Sequence, residues 1–173
     1  MPPSGQRERV GDMVVITRCD MDYCVDGLRD DRRGQELMTT ALTEDEKELA
    51  SASATFERAV RIAHLTEDSV SVYEGFTEYS GGAHANNSLA CSTWNRRTGR
   101  RVLLSELSSA TKGKALEARA AILLQEFLDE TGRPGYEIDE ASFLYDGLNQ
   151  RVVLCALAPY VVAGTIVEIP MHP

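Results

Sequence analysis

Residues 112–130 carry the strongest helical pattern in the chain, and this segment limits the folds that the rest can form. Its apolar residues recur at three- and four-residue steps, which places them on one face of an α-helix. They are Leu116, Ala120, Leu123, Leu124, Phe127 and Leu128. Gly132 and Pro134 follow as stop signals. Because a helix with one apolar face needs a second layer to cover it, the remaining segments must supply that layer.

Most other apolar segments occur as pairs of β-type segments that flank turn residues. The pairs are 55–65 with 69–79, 86–95 with 100–104, and 143–145 with 150–157, and a last short strand covers 165–169. Neighbouring strand pairs without alternating helices predict an antiparallel sheet. The predicted fold is therefore α+β, an antiparallel sheet of hairpins with the helix over about 112–130 packed on it.

Thr43 and Glu46 have the spacing of a capping box, in which each side chain binds the other residue's main-chain amide. This pattern predicts a shorter helix over about 43–53, packed on the same sheet. Residues 1–11 are polar with two prolines and two glycines, so we expect a disordered tail there. We expect residues 12–173 to form a single α+β domain, as the length of 173 residues suggests.

The charge balance constrains the partners. The chain has 18 basic and 27 acidic residues and a formal net charge of −9. This excess argues against nucleic acid, which is bound by basic surfaces, and favours a basic protein partner. The chain has no run of 18 apolar residues and no apolar segment near its start, so we expect neither a membrane span nor a signal peptide.

The cysteines and histidines do not form a metal-binding pattern. There is no Cys-x-x-Cys motif, and the histidines are His64, His84 and His172. We predict no metal site, and no motif indicates a cofactor. Cys91 and Cys155 lie in apolar strand segments, where we expect them to be small buried hydrophobic residues.

Cys19 and Cys24 are close enough in sequence to form a disulfide in an oxidising compartment. The cysteines alone do not decide between that compartment and the cytoplasm. In the strand over 55–65, we place His64 on the same face as Val60 and Ile62. The turn Arg96–Arg101 holds four arginines, which either bind an anionic partner or are simply solvated.

The segment Ser80-Gly-Gly-Ala-His84 is the candidate for chemistry. A histidine beside two glycines can act as a general base or an oxyanion donor, but the nearby serines lack a Gly-x-Ser-x-Gly frame. The alternative is structural: Gly81 and Gly82 allow a sharp turn, and the ring of His84 binds local main chain. We predict no catalytic residues.

Several short motifs occur in an ordered set. They are Tyr79-Ser-Gly-Gly-Ala-His84-Ala-Asn86, Thr98-Gly99, Val102-Leu-Leu-Ser-Glu-Leu107, Gly147-Leu148, Ala158-Pro-Tyr160-Val-Val-Ala-Gly164 and Ile169-Pro170. The set resembles the RsiV-like C-terminal domain family, a bacterial envelope domain of unknown function. The resemblance spans about residues 56–170, and residues 12–55 would correspond to its variable N-terminal companion segment. We take Tyr79, Gly81, Gly82, His84, Asn86 and Tyr160 as candidate binding residues.

The resemblance implies a non-catalytic binding module that is extracytoplasmic, which means either periplasmic or secreted. Its expected partner is a basic protein such as a lysozyme, since one branch of the family senses lysozyme, or a cell-wall component such as peptidoglycan. Ala85 departs from the glycine that is frequent in the family. Two other functions remain open: a cytoplasmic inhibitor or immunity-type interaction protein, and a hydrolase that uses His84.

Overall fold

The computed structural model of the protein describes residues 5–107, 110–132, 135–137, 141–157 and 166–171. The strands are β1 (Gly5–Val10), β2 (Met13–Asp20), β3 (Tyr23–Asp30), β4 (Gln35–Met38), β5 (Thr55–Leu65), β6 (Ser69–Tyr79), β7 (Asn86–Asn95), β8 (Arg100–Arg101), β9 (Phe143–Asp146), β10 (Arg151–Leu157) and β11 (Ile166–Met171). The helices are α1 (Glu44–Ala52), a 3-10 helix (Leu104–Leu107) and α2 (Ala110–Thr131). The predicted α+β class is confirmed.

Within the described ranges, eight strands form a large sheet in the order β1-β2-β3-β5-β6-β7-β8, with β4 paired to β3. Two of the predicted hairpins form the antiparallel run from β5 to β8, and the third forms β9 and β10 of a separate small sheet. The sheet is not antiparallel throughout, because Tyr23–Val25 of β3 pair in parallel with Phe56–Arg58 of β5. β4 and α1 lie between these strands in sequence. Parallel pairing needs a long connection that returns the chain to the same end of the sheet, and this segment provides it.

The predicted disordered tail over 1–11 is wrong for residues 5–10, which form β1. This strand pairs antiparallel with β2 at the edge of the large sheet. Its polar side chains are suited to an edge strand, where charge discourages further pairing. Arg7 lies 2.8 Å from a carboxylate oxygen of Asp26, and Arg9 contacts Asp31. The charged residues that suggested a disordered tail therefore form ion pairs in β1.

One edge of β3 forks, because its first half pairs with β5 and its second half with β4. Gly27 lies at the fork, where a Cβ atom would come within 2.7 Å of a carbonyl oxygen of β4. Arg58 of β5 fills the fork and donates to the carbonyl of Asp26 over 3.1 Å. Its guanidinium also contacts Glu46 of α1 over 2.6 Å, which fixes the short helix against the sheet.

The helices pack on different sheets, which corrects the prediction that both share one. α1 contacts β5, and the predicted capping box of Thr43 and Glu46 is present at its start. α2 packs on a small sheet of order β11-β10-β9. The predicted apolar face of α2 supplies Leu116 and Ala120 to the core there. No helix in the described part of the chain is long and apolar enough to cross a membrane.

The small sheet lies between α2 and the large sheet. Val152, Leu154 and Ala156 of β10 belong to the core beneath α2. Val153 and Cys155 alternate with them and belong to a cluster that includes Cys91 of β7. The two faces of β10 therefore serve two cores, as the two-residue period of a strand requires.

The structure has disulfides between Cys19 and Cys24 and between Cys91 and Cys155. The first pairing was one of the possibilities open from the sequence. The second corrects the expectation of two buried thiols, since Cys91 and Cys155 are buried but bonded to each other. Their separation of 64 residues hid the pairing, and their bond ties the small sheet to the large one.

Candidate functional site

A groove of about 680 Å³ opens on the face of the large sheet that carries the small sheet. Its floor contains Ala59, Tyr73, Gly75 and Leu89, from the neighbouring strands β5, β6 and β7. The pairing Ala59–Gly75–Leu89 forms one row across these strands, and two of the three residues are small. The volume lies in the range of ligand sites. We call this feature the groove.

Tyr73 connects the floor of the groove to β11. Its hydroxyl donates a hydrogen bond to the carboxylate of Glu168, and the guanidinium carbon of Arg61 lies 4.8 Å from the centre of its ring. Burial, followed by the bond to Glu168, raises the pKa of Tyr73 to about 12. The phenol therefore stays protonated at neutral pH and acts as a fixed donor.

The opposite wall of the groove comes from β1. Arg7 donates to Glu57 over 3.1 Å and to Asp26 over 2.8 Å, and the hydrogen bond to Glu57 is the main cause that raises the pKa of Arg7. Glu8 accepts the main-chain N–H of Ile62 over 3.1 Å. The wall is thus built of charges that already have partners.

Carboxylates also complete the edge of β5 beyond the fork. Asp26 is buried and accepts the main-chain N–H of Val60 over 2.8 Å, as Glu8 does for Ile62. Side chains therefore replace the missing strand beside these residues. The bond from Glu8 joins β1 to the edge of β5 beside the groove.

The predicted binding residues Tyr79, Gly81, Gly82, His84 and Asn86 lie at the end of the large sheet, in and beside the loop between β6 and β7. The hydroxyl of Tyr79 donates to the carbonyl of Gly82 over 3.0 Å, and Asn86 donates to Glu78 over 3.0 Å. None of these residues lines the groove. Tyr160 lies outside the described residues.

His84 is exposed, and in the described part of the chain its ring has no hydrogen-bond partner. The expected bond from its ring to local main chain is therefore not found. Gly81 and Gly82 have φ values of 95° and 130°, as the predicted sharp turn requires. Among the described residues, no group of three or more histidine, cysteine, aspartate or glutamate side chains could hold a metal ion.

His64 does not share a face with Val60 and Ile62, because the pairing register shifts between Ile62 and His64. The extra residue turns His64 toward the small sheet, where its Nδ1 lies 3.9 Å from a carboxylate oxygen of Asp146. Bulges are not visible in strand alternation alone. The prediction of one shared face was therefore wrong.

The arginine-rich turn between β7 and β8 is tied to acids of this chain. Arg96 is buried and lies 2.7 Å from Asp30 and 2.8 Å from Asp12. The hydrogen bond from Arg96 is the main cause that lowers the pKa of Asp12. Arg97 pairs with Asp68, and Arg101 with Glu74. The turn thus fastens neighbouring loops.

Sequence reasoning missed the groove entirely. Its residues come from β1, β5, β6, β7 and β11, and no two of these segments share a motif that links them. The available signal was the valine and aromatic content of β6, which predicted a strand without predicting an open face.

Among solved structures, the chain is similar to the crystal structure of a DUF3298 family protein from Pseudomonas aeruginosa PAO1. The TM-score is 0.49 and the sequence identity is 16%, and the alignment covers 97% of this chain and 91% of that chain. No protein-family model and no curated protein matches the chain.

Proposed function

We propose that this chain is a non-catalytic binding module that acts outside the bacterial cytoplasm and recognises a basic protein. The observation that carries the proposal is the groove, which combines an apolar floor with charged walls. Sites of this composition bury apolar groups of a ligand and orient it by a few polar contacts. Leu89 is 37% exposed on the floor, which leaves apolar surface available to a partner.

The two disulfides support the proposed compartment. Disulfides persist in oxidising environments such as the periplasm or the exterior of the cell, and are rare in the cytoplasm. Cys91 and Cys155 join two separate sheets, so their bond contributes to the architecture. The resemblance to the RsiV-like family points to the same compartment.

Charge supports a basic partner. The charged side chains that line the groove are balanced, Arg7 and Arg61 against Glu8 and Glu168, so the excess of acidic residues lies in the rest of the chain. The whole chain adds a net charge of −9. Such a field speeds the approach of a cationic protein and weakens with added salt. A lysozyme is a partner of this kind, and a cell-wall component is the alternative.

Calorimetric titration with a basic lysozyme tests the proposal. We expect saturable binding that weakens as salt rises from about 50 to about 300 mM, because screening increases over this range. Leu89→Ser should weaken binding, whereas Leu148→Ser, at a leucine that is 84% exposed and outside the groove, should leave it unchanged. Equal binding by both variants would remove the groove from the proposal.

Titration of free thiols tests the compartment. Protein recovered from its native location should show no free thiol before reduction and four after it, because both pairs are bonded. Four free thiols in unreduced protein would instead favour the cytoplasmic inhibitor or immunity-type alternative.

A further inference from the structure

The two outer strands of the small sheet have different surroundings. The outer edge of β9 is held by hydroxyl groups of the large sheet. Ser71 Oγ accepts the N–H of Tyr145 over 2.9 Å and contacts its carbonyl over 3.1 Å, and Thr93 donates to the carbonyl of Phe143 over 2.9 Å. This edge therefore needs no further strand.

The hydrogen-bond pattern shows which groups of β11 face outward. The N–H of Cys155 donates to Ser142, on the β9 side of β10. Because alternate residues of a strand bond to opposite sides, Leu154 bonds to β11, where its partner is Ile169. The N–H and C=O groups of Ile166 and Glu168 therefore point away from the small sheet.

Pro170 is consistent with this assignment. It lies at a third outward position, and proline, which has no N–H, is tolerated on the free side of an edge strand. In the described part of the chain, no hydrogen bond reaches the outward main-chain groups of Ile166, Glu168 or Pro170. Among the described residues, β11 thus presents an unpaired edge with donors and acceptors.

The groove lies where the next strand of the small sheet would be. β9 contacts the row of the large sheet that contains Ser71 and Thr93. β10 and β11 contact the next row, through the Cys91–Cys155 bond and the Tyr73–Glu168 hydrogen bond. The following row contains Gly75 and Leu89 and is open as the floor of the groove.

We propose that an extended segment of the partner protein adds to β11 as a fourth strand of the small sheet and lies over Gly75 and Leu89. The inference rests on the proposed function and deepens it. Main-chain hydrogen bonds would hold the segment, and alternate side chains would give specificity, as in other cases of strand addition.

The surroundings specify the chemistry of the segment. The floor continues the apolar contact between the sheets, so the side chains that face Gly75 and Leu89 are apolar. The absence of a side chain at Gly75 leaves room for them. The alternate residues face away from the floor, and the net charge of −9 of the whole chain favours lysine or arginine there. The occupant is therefore an extended segment that alternates apolar and basic residues.

An octapeptide of alternating lysine and valine is the probe. Calorimetry should show one saturable site, and a peptide of four lysines followed by four valines should bind at least tenfold more weakly. Two further peptides carry N-methyl groups on either the lysine or the valine amides. Because alternate amides face opposite edges of a strand, one of these two should lose at least tenfold in affinity and the other should retain it.

Gly75→Val should fill the groove and weaken the octapeptide at least tenfold. A Cβ at Gly75 would lie 3.5 Å from Leu89, an ordinary contact, so this variant should fold. Ser88→Val, at an exposed position on the opposite face of β7, is the matched control and should bind normally. If Gly75→Val unfolds, Leu89→Lys provides a second obstruction of the floor.

The outcomes separate the two proposals. No saturable binding of the octapeptide, or equal binding by both methylated peptides, overturns strand addition. Lysozyme binding that persists in Gly75→Val also overturns strand addition but leaves the binding of a basic protein intact. Failure of the wild-type chain to bind any basic protein removes the proposed function. A dimer of the free chain that is lost in Gly75→Val would assign the edge to a second copy and overturn the partner segment.

Discussion

The guanidinium of Arg58 and the carboxylate of Glu46 form an ion pair inside the protein, with 2.6 Å between Nη1 and Oε1. The two side chains are 5% and 9% exposed. The second carboxylate oxygen of Glu46 accepts the main-chain N–H of Thr43 over 2.7 Å. One carboxylate therefore caps α1 and fastens it to β5, at the fork beside β3.

Glu46→Gln should lower the free energy of unfolding by about 3–5 kcal/mol, because it leaves the charge of Arg58 buried without a counter-charge. Urea denaturation measures the change. Glu48→Gln, on an exposed position of the same helix, is the control and should change stability by less than about 0.5 kcal/mol. A loss below about 1 kcal/mol for Glu46→Gln would mean that water reaches Arg58.

The two disulfides should differ in their contribution to stability. In the chain-entropy model, closing a loop of 64 residues contributes about 4 kcal/mol, and a loop of 5 residues about 2 kcal/mol. Replacing Cys91 and Cys155 by alanine should therefore lower the free energy of unfolding more than replacing Cys19 and Cys24. Thermal denaturation of the two double variants, both under oxidising conditions, gives the comparison. The reverse order would contradict the role of the Cys91–Cys155 bond between the sheets.

Local patterns were predictable from the sequence. The capping box of Thr43 and Glu46 involves residues three apart, and the apolar face of α2 is set by one helical period. The hairpins likewise depend on neighbouring segments. These features are decided by contacts short in sequence, so pattern and turn chemistry were sufficient.

Contacts between distant segments were not predictable in this way. The parallel pairing of β3 with β5 depends on the path of β4 and α1, and Cys91 meets Cys155 only after the small sheet docks. The groove depends on the parallel pairing of β3 with β5, on the docking of the small sheet and on the position of β1. The glycine pair near His84 predicted a turn from the local sequence. The apolar floor at Gly75 and Leu89 is formed by separate strands and has no local sequence pattern.

The loop between β6 and β7 provides a test of backbone strain. Gly82 has a φ of 130°, and a Cβ there would meet no atom within 4 Å, so any cost comes from the backbone alone. Gly82→Ala should lower the free energy of unfolding by about 1–3 kcal/mol. His84→Ala, at an exposed position two residues away, should change it by less than about 0.5 kcal/mol. Equal melting temperatures would show that the loop adapts to the new side chain.

The phenol of Tyr73 should make stability depend on alkaline pH. Its pKa is raised by burial and then by Glu168 to about 12 in the folded chain, whereas an unfolded tyrosine has a pKa near 10. Below pH of about 10 both states hold the proton, and the full contribution is present. Between about 10 and 12 the unfolded chain releases the proton and the folded chain keeps it, so the free energy of unfolding falls as pH rises. Absorbance of tyrosinate should show a late titration that loses one tyrosine in Tyr73→Phe and shifts downward in Glu168→Gln; Tyr23, whose pKa is raised first by its hydrogen bond to Asp20, also titrates late in both variants. A late phase of unchanged amplitude in Tyr73→Phe would assign it to other tyrosines and would contradict the Tyr73–Glu168 contact beside the groove.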